Sequence, residues 1–212
     1  MDAVARLSVD DLATRVRTLM GGVGRTMVGI VGAPGAGKST LAGALSHQLG
    51  ALAVVVGMDG FHLAQAELER LGRAGRKGAP DTFDPWGYAA LLRRLRNNVE
   101  PVVYAPLFRR DLEEPIANCV AVPQAATCVI TEGNYLLMDD EGWRTAREQL
   151  DEVWYLDLAS ELRQERLMRR RIGFGCAEDQ AWQWTTGSDE RNAEVVLATR
   201  ARADLVVEVV TR

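Results

Sequence analysis

The sequence predicts an α/β protein with a parallel sheet covered by helices on both faces. Five short, continuously apolar runs indicate buried strands, and amphipathic segments with helical spacing separate most of them. A glycine-rich turn follows the first of these runs and leads directly into a helical pattern. Strands that are apolar throughout are buried on both sides, so this order of elements favours one layered domain over residues 1–212.

Composition and charge narrow the class of protein. The 212 residues are 47% hydrophobic and 25% charged, as is ordinary for a globular chain. A net charge of −4 argues against a nucleic-acid partner, because phosphate contacts need a basic surface. No apolar run approaches the roughly 20 residues that span a bilayer. Residues 1–20 also lack the apolar centre of a secretory signal. We therefore expect a cytoplasmic protein, and the scattered Cys119, Cys128 and Cys176 suit free thiols there.

The secondary-structure elements can be assigned in chain order. Ser8 and Asp11 have the spacing of a capping box and predict a helix that runs to about Met20. The predicted strands are residues 26–31, 51–59, 127–133, 151–158 and 203–210. The predicted later helices are residues 38–48, 84–96, 141–150, 161–171 and 188–202. Two further runs, 99–106 and 118–123, are expected to form a small hairpin beside the sheet.

The stretch GIVGAPGAGKST (29–40) contains the pattern G-x-x-x-x-G-K-[ST] between a strand and a helix. Its glycines let backbone N–H groups turn toward phosphate oxygens, and the following helix directs its positive end at the same anion. Lys38 is expected to bridge the β- and γ-phosphates, and the Ser39 hydroxyl to ligate Mg²⁺. The predicted nucleoside triphosphate site comprises Gly32, Ala33, Pro34, Gly35, Ala36, Gly37, Lys38, Ser39 and Thr40.

Two carboxylates end predicted strands at the sheet edge where ligands bind in open α/β folds. Glu132 ends the strand VITEG and is expected near Mg²⁺, directly or through water, with a plain surface acid as the alternative. Asp59, in GMDGFH, is the candidate base that takes the proton of an acceptor hydroxyl during phosphoryl transfer. His62 in the same stretch is expected to make a local hydrogen bond or to contact substrate rather than to catalyse. The chain lacks the N-K-x-D motif of GTPases.

Six motifs occur in one order along residues 26–210: the phosphate loop, DGFH, KGAPDTFD, YAPLFRR, TEGNYLL and RLMRRR. In this order they resemble the uridine kinase, phosphoribulokinase and bacterial pantothenate kinase superfamily. The resemblance implies a kinase-type P-loop NTPase fold, a three-layer sandwich with a five-stranded parallel sheet in the order 2-3-1-4-5. It also implies ATP, Mg²⁺ and phosphorylation of a hydroxyl group on a small metabolite. A homodimer is common among similar enzymes, but the residues themselves specify no oligomeric state.

The same resemblance assigns Asp59 as the base, and Arg166 and Arg169 to a lid of about residues 161–187 that closes over the phosphates. The segment RLMRRR also concentrates four cations on a predicted helix, and guanidinium groups stabilise the charge of a transferring phosphoryl group. A solvated face of glutamate–arginine pairs is the alternative. Whether Arg169 or Arg170 is the second lid arginine stays open.

The acceptor side is expected to use a mobile flap, about residues 60–82, together with His62, Tyr104, Arg110 and Asn192. Uridine kinases place an aspartate where this chain has Gly78, which argues against uridine as the acceptor. Arg110 stands where the similar pantothenate kinases carry a histidine and suggests an anionic group on the acceptor.

Several questions about the acceptor stay open at this point. Arg109 either serves as Arg110 does or faces solvent. Nucleoside-, pantothenate- and sugar-like acceptors are all compatible with the sequence. An ATP-binding regulatory NTPase without acceptor chemistry is the alternative function.

Overall fold

The computed structural model describes residues 4–210, so the first three and last two residues of the predicted domain lie outside the described residues. Eight strands are present there: β1 (Ala5–Leu7), β2 (Thr26–Val31), β3 (Ala53–Gly57), β4 (Val102–Arg109), β5 (Glu114–Pro123), β6 (Cys128–Gly133), β7 (Glu152–Leu156) and β8 (Leu205–Val209). Six of them form a parallel sheet in the order β1-β8-β7-β2-β6-β3, and β4 pairs with β5 in a separate antiparallel hairpin.

The prediction of a five-stranded sheet is wrong in its strand count. The additional strand is β1, which lies at the edge of the sheet and pairs in parallel with β8 from Ala5–Val207 to Leu7–Val209. Its three residues, Ala-Arg-Leu, are too few to produce a recognisable apolar run. The sheet therefore has six strands, and the additional edge strand, β1, precedes the first helix.

Helices cover the sheet, and some of them contribute residues to a cleft at its edge. Their bounds are α1 (Val9–Leu19), α2 (Lys38–Leu49), α3 (Gln65–Arg70), α4 (Pro85–Asn97), α5 (Glu141–Arg147), α6 (Ser160–Gly173), α7 (Glu178–Trp184) and α8 (Glu190–Leu197). The capping box is confirmed, since the Ser8 side chain accepts from the Asp11 backbone and Asp11 accepts from the Ser8 backbone. The helix predicted over 188–202 ends earlier, at Leu197, and a π-helical turn (Thr185–Asp189) joins α7 to α8.

Strand β2 shows why the domain has three layers. All six of its residues are buried. Met27 and Val31 contribute to the core beneath α4 and α5, whereas Val28 and Ile30 contribute to the core beneath α1 and α2. Alternate side chains of a strand point to opposite faces, so an apolar strand requires helices on both sides.

No helix within residues 4–210 is long and apolar enough to cross a bilayer.

The hairpin lies against the 3₁₀ turn Met58–Phe61 that follows β3. A Cβ atom on Gly60 would come within 2.7 Å of the Pro106 carbonyl oxygen, so this turn and β4 approach more closely than any other residue type would allow. The pairing register shifts between Ala105 and Leu107. This close contact places the end of β4 beside the edge of the sheet at which the central strands end.

Candidate active site

A cleft with a volume of about 1860 Å³ opens where the central strands end. The phosphate loop lies on one side of it, and side chains from β6, the Met58–Phe61 turn, the hairpin and α6 surround it. The cleft brings together most of the predicted site residues: Pro34, Gly35, Ala36, Gly37, Lys38, Ser39, Thr40, Asp59, His62, Arg110, Glu132, Arg166 and Asn192. Gly32 and Ala33 are not part of its lining. Ligands of open α/β folds bind at this edge of the sheet.

The phosphate loop owes its shape to two glycines and one buried lysine. Gly35 and Gly37 have φ angles of 83° and 99°, which other residues rarely adopt. The Lys38 ammonium donates to the carbonyl oxygens of Gly32, at 2.8 Å, and Ala33, at 3.3 Å. Burial lowers the pKa of Lys38, and the charge of Glu132 opposes that shift. The loop therefore holds a cation at the start of α2, where phosphates bind.

Ser39 and Glu132 form the oxygen pair predicted for magnesium. The Ser39 hydroxyl donates to Glu132 Oε1 at 2.9 Å. Burial raises the pKa of Glu132, and the nearby Asp59 charge raises it further. No group of three or more potential metal-ligating acids, histidines or cysteines occurs in the described part of the chain. A hydroxyl and one carboxylate nevertheless fit Mg²⁺, which takes few protein ligands and completes its shell with phosphates and water.

Asp59 lies in the turn after β3, facing the hairpin. Arg110 Nη2 donates to Asp59 Oδ2 at 3.1 Å. The ring of His62 hydrogen-bonds through Nδ1 to the Asp59 backbone oxygen at 2.8 Å. That ring packs against Phe83 and Phe108, at centroid distances of 4.0 and 4.6 Å. Burial lowers the pKa of His62, so a neutral imidazole is expected in the cleft at pH 7.

Helix α6 brings arginines over the phosphate loop. Arg166 Nη1 lies 3.4 Å from the Ala36 carbonyl oxygen and would be 3.2 Å from a Cβ atom on Gly37. Arg170, one helical turn later, also lines the cleft. Burial lowers the pKa of Arg170, and repulsion from Arg110 adds to this. Within residues 4–210, the Arg170 side chain has no hydrogen-bond partner or ion pair, and the charges of Asp189 and Asp59 act on it without direct contact.

The assignment of Arg169 to the site disagrees with the structure. Its side chain is 75% exposed and pairs with Glu165 at 2.5 Å. It is absent from the lining of the cleft. Successive helical residues differ by about 100° in direction, so Arg166 and Arg170 share a face from which Arg169 turns away. Of the two candidates left open by the sequence, Arg170 is therefore the one that lines the cleft.

Tyr104, which the sequence assigns to the acceptor site, lies outside the cleft. Tyr104 is 53% exposed on the outer face of β4, while its neighbours Val103 and Ala105 are buried. Strand alternation turns it away from the cleft, and it is absent from the lining. After the register shift, β4 instead brings Phe108 into the cleft.

Asn192 contacts the flap. Its Nδ2 donates to the Gly78 carbonyl oxygen at 3.3 Å, and the Tyr135 hydroxyl donates to the same oxygen at 2.6 Å. Gly78 has a φ angle of 96°, which a side chain there would strain. The π-helical turn before α8 precedes Asn192 by only three residues. Gly78, Tyr135 and Asn192 thus connect the flap, the segment after β6 and α8 at one point.

Sequence reasoning missed Arg163. This side chain is 4% exposed. Its Nη1 donates to the Pro34 carbonyl oxygen at 3.1 Å, and its Nη2 lies 3.1 Å from Glu190 Oε2. It therefore ties the phosphate loop to both α6 and α8. The available signal was its position three residues before Arg166 on one helical face.

No protein-family model matches the chain. A Schizosaccharomyces pombe protein named "Putative uridine kinase C227.14" is 31% identical, with 98% of this chain and 93% of that protein covered. The Escherichia coli K12 protein YggC is 34% identical, with 87% and 78% covered. A solved structure titled "putative fructose transport system kinase", from Silicibacter sp. TM1040, is 38% identical. It superposes with a TM-score of 0.83 over 94% of this chain and 98% of that one.

Proposed function

This chain belongs to the uridine kinase-like P-loop kinases, and from that premise we propose that it transfers the γ-phosphoryl group of ATP to a hydroxyl group of a small metabolite. The observation that carries the proposal is the position of Asp59. Its carboxylate shares one cleft with the phosphate loop, Glu132 and the arginines of α6. Phosphoryl transfer requires a proton acceptor beside a phosphate site and cations around the transferring group.

The phosphate loop binds the nucleotide in this proposal. Backbone N–H groups of the phosphate loop after Pro34, up to Thr40 at the start of α2, donate to the phosphates, and Lys38 contacts the β- and γ-phosphates. Ser39 and Glu132 hold Mg²⁺, which supplies neutralisation of phosphate charge when it is bound. The hydrogen bond of 2.9 Å between these two side chains supports a shared ligand.

Asp59 receives the proton of the acceptor hydroxyl. As that proton moves to the carboxylate, the acceptor oxygen forms a bond to the γ-phosphorus and the bond from this phosphorus to the β,γ-bridging oxygen breaks. The products are the phosphorylated acceptor, ADP and a protonated Asp59 that releases its proton to solvent. The position of Asp59 at the end of β3, facing the hairpin, supports this direction of attack.

Arg166 and Arg170 neutralise the transferring group as the lid, about residues 161–187, closes. Arg170 replaces Arg169 in this role because it lines the cleft and has no ion pair among the described residues. A guanidinium that faces the cleft without an ion pair is available to bind the oxygens of a phosphoryl group. His62, Arg110 and Asn192 contact the acceptor beneath the flap of residues 60–82. The proposed setting is the cytoplasm, with no nucleic acid as partner.

The test is ADP release from ATP and Mg²⁺ against a panel of nucleosides, pantothenate, pentoses, hexoses and their monophosphates. Stimulation by one compound, abolished in Asp59→Asn, is the expected result. Asp139→Asn is the matched control, since this carboxylate lies on the surface 3.3 Å from Arg202. Hydrolysis of ATP that no metabolite stimulates would instead favour the regulatory NTPase.

A further inference from the structure

Two neighbouring arginines at the end of the hairpin differ in how many of their donors already have a partner. Arg109 makes a two-point contact with Asp111, through Nε at 2.8 Å and Nη2 at 2.6 Å. Arg110 makes a single contact, from Nη2 to Asp59 at 3.1 Å. Over residues 4–210, Arg110 has no other hydrogen-bond partner. Most of its planar set of donors is therefore free in the cleft, whereas Arg109 does not line the cleft at all.

A second cation lies on the same aromatic ring. The Lys77 ammonium is 5.5 Å from the centroid of the Phe108 ring, and the Arg110 guanidinium is 5.9 Å from it. Lys77 is held by the Glu113 backbone carbonyl and lies 3.5 Å from Gln65 Oε1. Neither contact carries a charge, and Lys77 has no ion pair in the part of the chain described. The ring thus positions two cations on the acceptor side of Asp59.

Other charges in this half of the cleft leave the two cations available. The Glu113 carboxylate also lines the cleft but is exposed, and it forms no salt bridge with Lys77 or Arg110. Asp189 is paired with Arg171 at 2.7 Å. His62 is buried, and the positive charges of Lys77 and Arg110 contribute to the lowering of its pKa. A neutral His62 adds a hydrogen-bonding surface without adding a further charge.

We propose that the acceptor of this kinase carries, besides its reacting hydroxyl, a compact oxyanion that Arg110 and Lys77 bind against the Phe108 ring. A phosphate monoester and a carboxylate share this chemistry, and a guanidinium binds either one through two parallel hydrogen bonds. The inference rests on the proposed phosphoryl transfer, and it names the substrate class of that site. It also gives the hairpin a role in acceptor binding, because the hairpin supplies both Phe108 and Arg110 to the cleft.

The single bond from Arg110 to Asp59 gives the inference a second consequence. An incoming oxyanion competes with Asp59 for the same guanidinium, and its two oxygens offer a better geometry than one carboxylate oxygen at 3.1 Å. When Arg110 moves to the oxyanion, Asp59 Oδ2 becomes free to accept the hydroxyl proton. Binding of the correct acceptor thereby exposes the base.

The experiment measures binding of inorganic phosphate and of acetate to the full chain by calorimetry, with the nucleotide site filled by a non-hydrolysable ATP analogue and Mg²⁺. Saturable binding of at least one anion is expected. Arg110→Gln and Lys77→Gln are each expected to weaken it by about tenfold or more, since each removes a charge-assisted hydrogen bond. Arg109→Gln is the control and is expected to bind as the wild type does.

The Asp59→Asn variant tests the competition. It is expected to bind the same anion more tightly, and this gain is expected to disappear in Asp59→Asn combined with Arg110→Gln. An equal gain in both backgrounds would overturn the transfer of Arg110 between the two groups. Absence of anion binding once the nucleotide is bound would overturn the inference itself, because the two cations would then belong to the nucleotide.

Kinetics on matched acceptors separates this inference from the proposed function. Glycerol is compared with glycerate and glycerol 3-phosphate, and ribose with ribose 5-phosphate. Phosphorylation of a neutral member at equal or higher kcat/KM would overturn the oxyanion and keep the kinase. Anion binding that depends on Arg110, without stimulation of ADP release by any compound, would support the oxyanion site and count against phosphoryl transfer.

Discussion

The Ser39 hydroxyl donates a hydrogen bond of 2.9 Å to Glu132 Oε1, and this bond joins the end of the phosphate loop to the end of β6. The parallel register of β2 and β6, in which Val31 lies opposite Gly133, brings the two strand ends side by side. The bond stabilises the Glu132 carboxylate, but burial outweighs it and keeps the pKa of Glu132 raised. A carboxylate that is costly to ionise without a cation is suited to a site that receives one.

Glu132→Gln is expected to change how stability depends on pH. A carboxyl whose pKa is higher in the folded than in the unfolded state stabilises below its unfolded pKa, about 4.3, and loses that contribution as pH rises through the folded value. The contribution of Glu132 to stability therefore falls as pH rises from about 4 toward neutrality, so the nucleotide-free wild type loses stability relative to Glu132→Gln over that range. Urea unfolding across that range measures the difference.

The exposed acid Glu113 gives the control for this experiment. Glu113 is exposed, so Glu113→Gln removes the same charge from the surface and serves as the matched charge control. A difference between wild type and Glu132→Gln that stays constant with pH would contradict the raised pKa.

Arg170→Gln is expected to lower kcat/KM by about 10²-fold or more, because it removes a cation from the transferring phosphoryl group. Arg169→Gln is expected to leave kcat/KM within about twofold of the wild type, since surface pairs contribute little. Steady-state kinetics on the acceptor found in the panel measures both. Equal losses of kcat/KM in the two variants would contradict this choice, because Arg169 would then also reach the transferring group when the lid closes.

Gly35→Ala is expected to destabilise the fold by about 2 kcal/mol or more, through a strained φ angle and overpacking. The new methyl would lie 2.6 Å from the Arg163 carbonyl oxygen and 2.9 Å from Leu167. Gly43→Ala is the counterpart, in α2, where nothing lies within 4 Å of the added atom. There we expect a gain of about 1 kcal/mol from helix propensity. Denaturant unfolding of both variants tests the pair, and a loss at Gly43 would contradict this account.

Tyr135→Phe is expected to destabilise the protein by about 1 kcal/mol, because it removes a hydrogen bond of 2.6 Å to the Gly78 carbonyl. Faster amide exchange within residues 77–82 is expected as well, since the flap then keeps only the weaker contact from Asn192. Hydrogen exchange with mass detection measures this. Tyr104→Phe, on the exposed face of β4, is expected to change neither exchange nor kcat/KM.

Local patterns allowed much of the fold and of the phosphate site to be predicted. The capping box at Ser8, the buried run of β2 and the phosphate loop each depend on residues close together in the chain, and the structure has them where the sequence places them. Asp59 and Glu132 could be located because each ends a buried run, and parallel strands bring such ends to one edge.

The remaining features depend on geometry that spacing alone does not specify. Arg169 and Arg170 are adjacent and chemically identical, and only the docking angle of α6 decides which one enters the cleft. The outward direction of Tyr104 depends on which face of β4 packs against the domain, and the register shift after Ala105 brings Phe108 to the cleft instead. Arg163 was missed because its partners, Pro34 and Glu190, come from distant segments.

The short edge strand β1 also affects how this protein behaves when it is concentrated. Strand β8 reads Leu-Val-Val-Glu-Val, a β-branched segment with a single charge. Such segments stack readily with copies of themselves when their backbone edge is open. Pairing with β1 covers that edge, and β1 in turn presents only three residues to another molecule. Within the described residues, three residues thereby cover this edge of the sheet and disfavour intermolecular strand addition there.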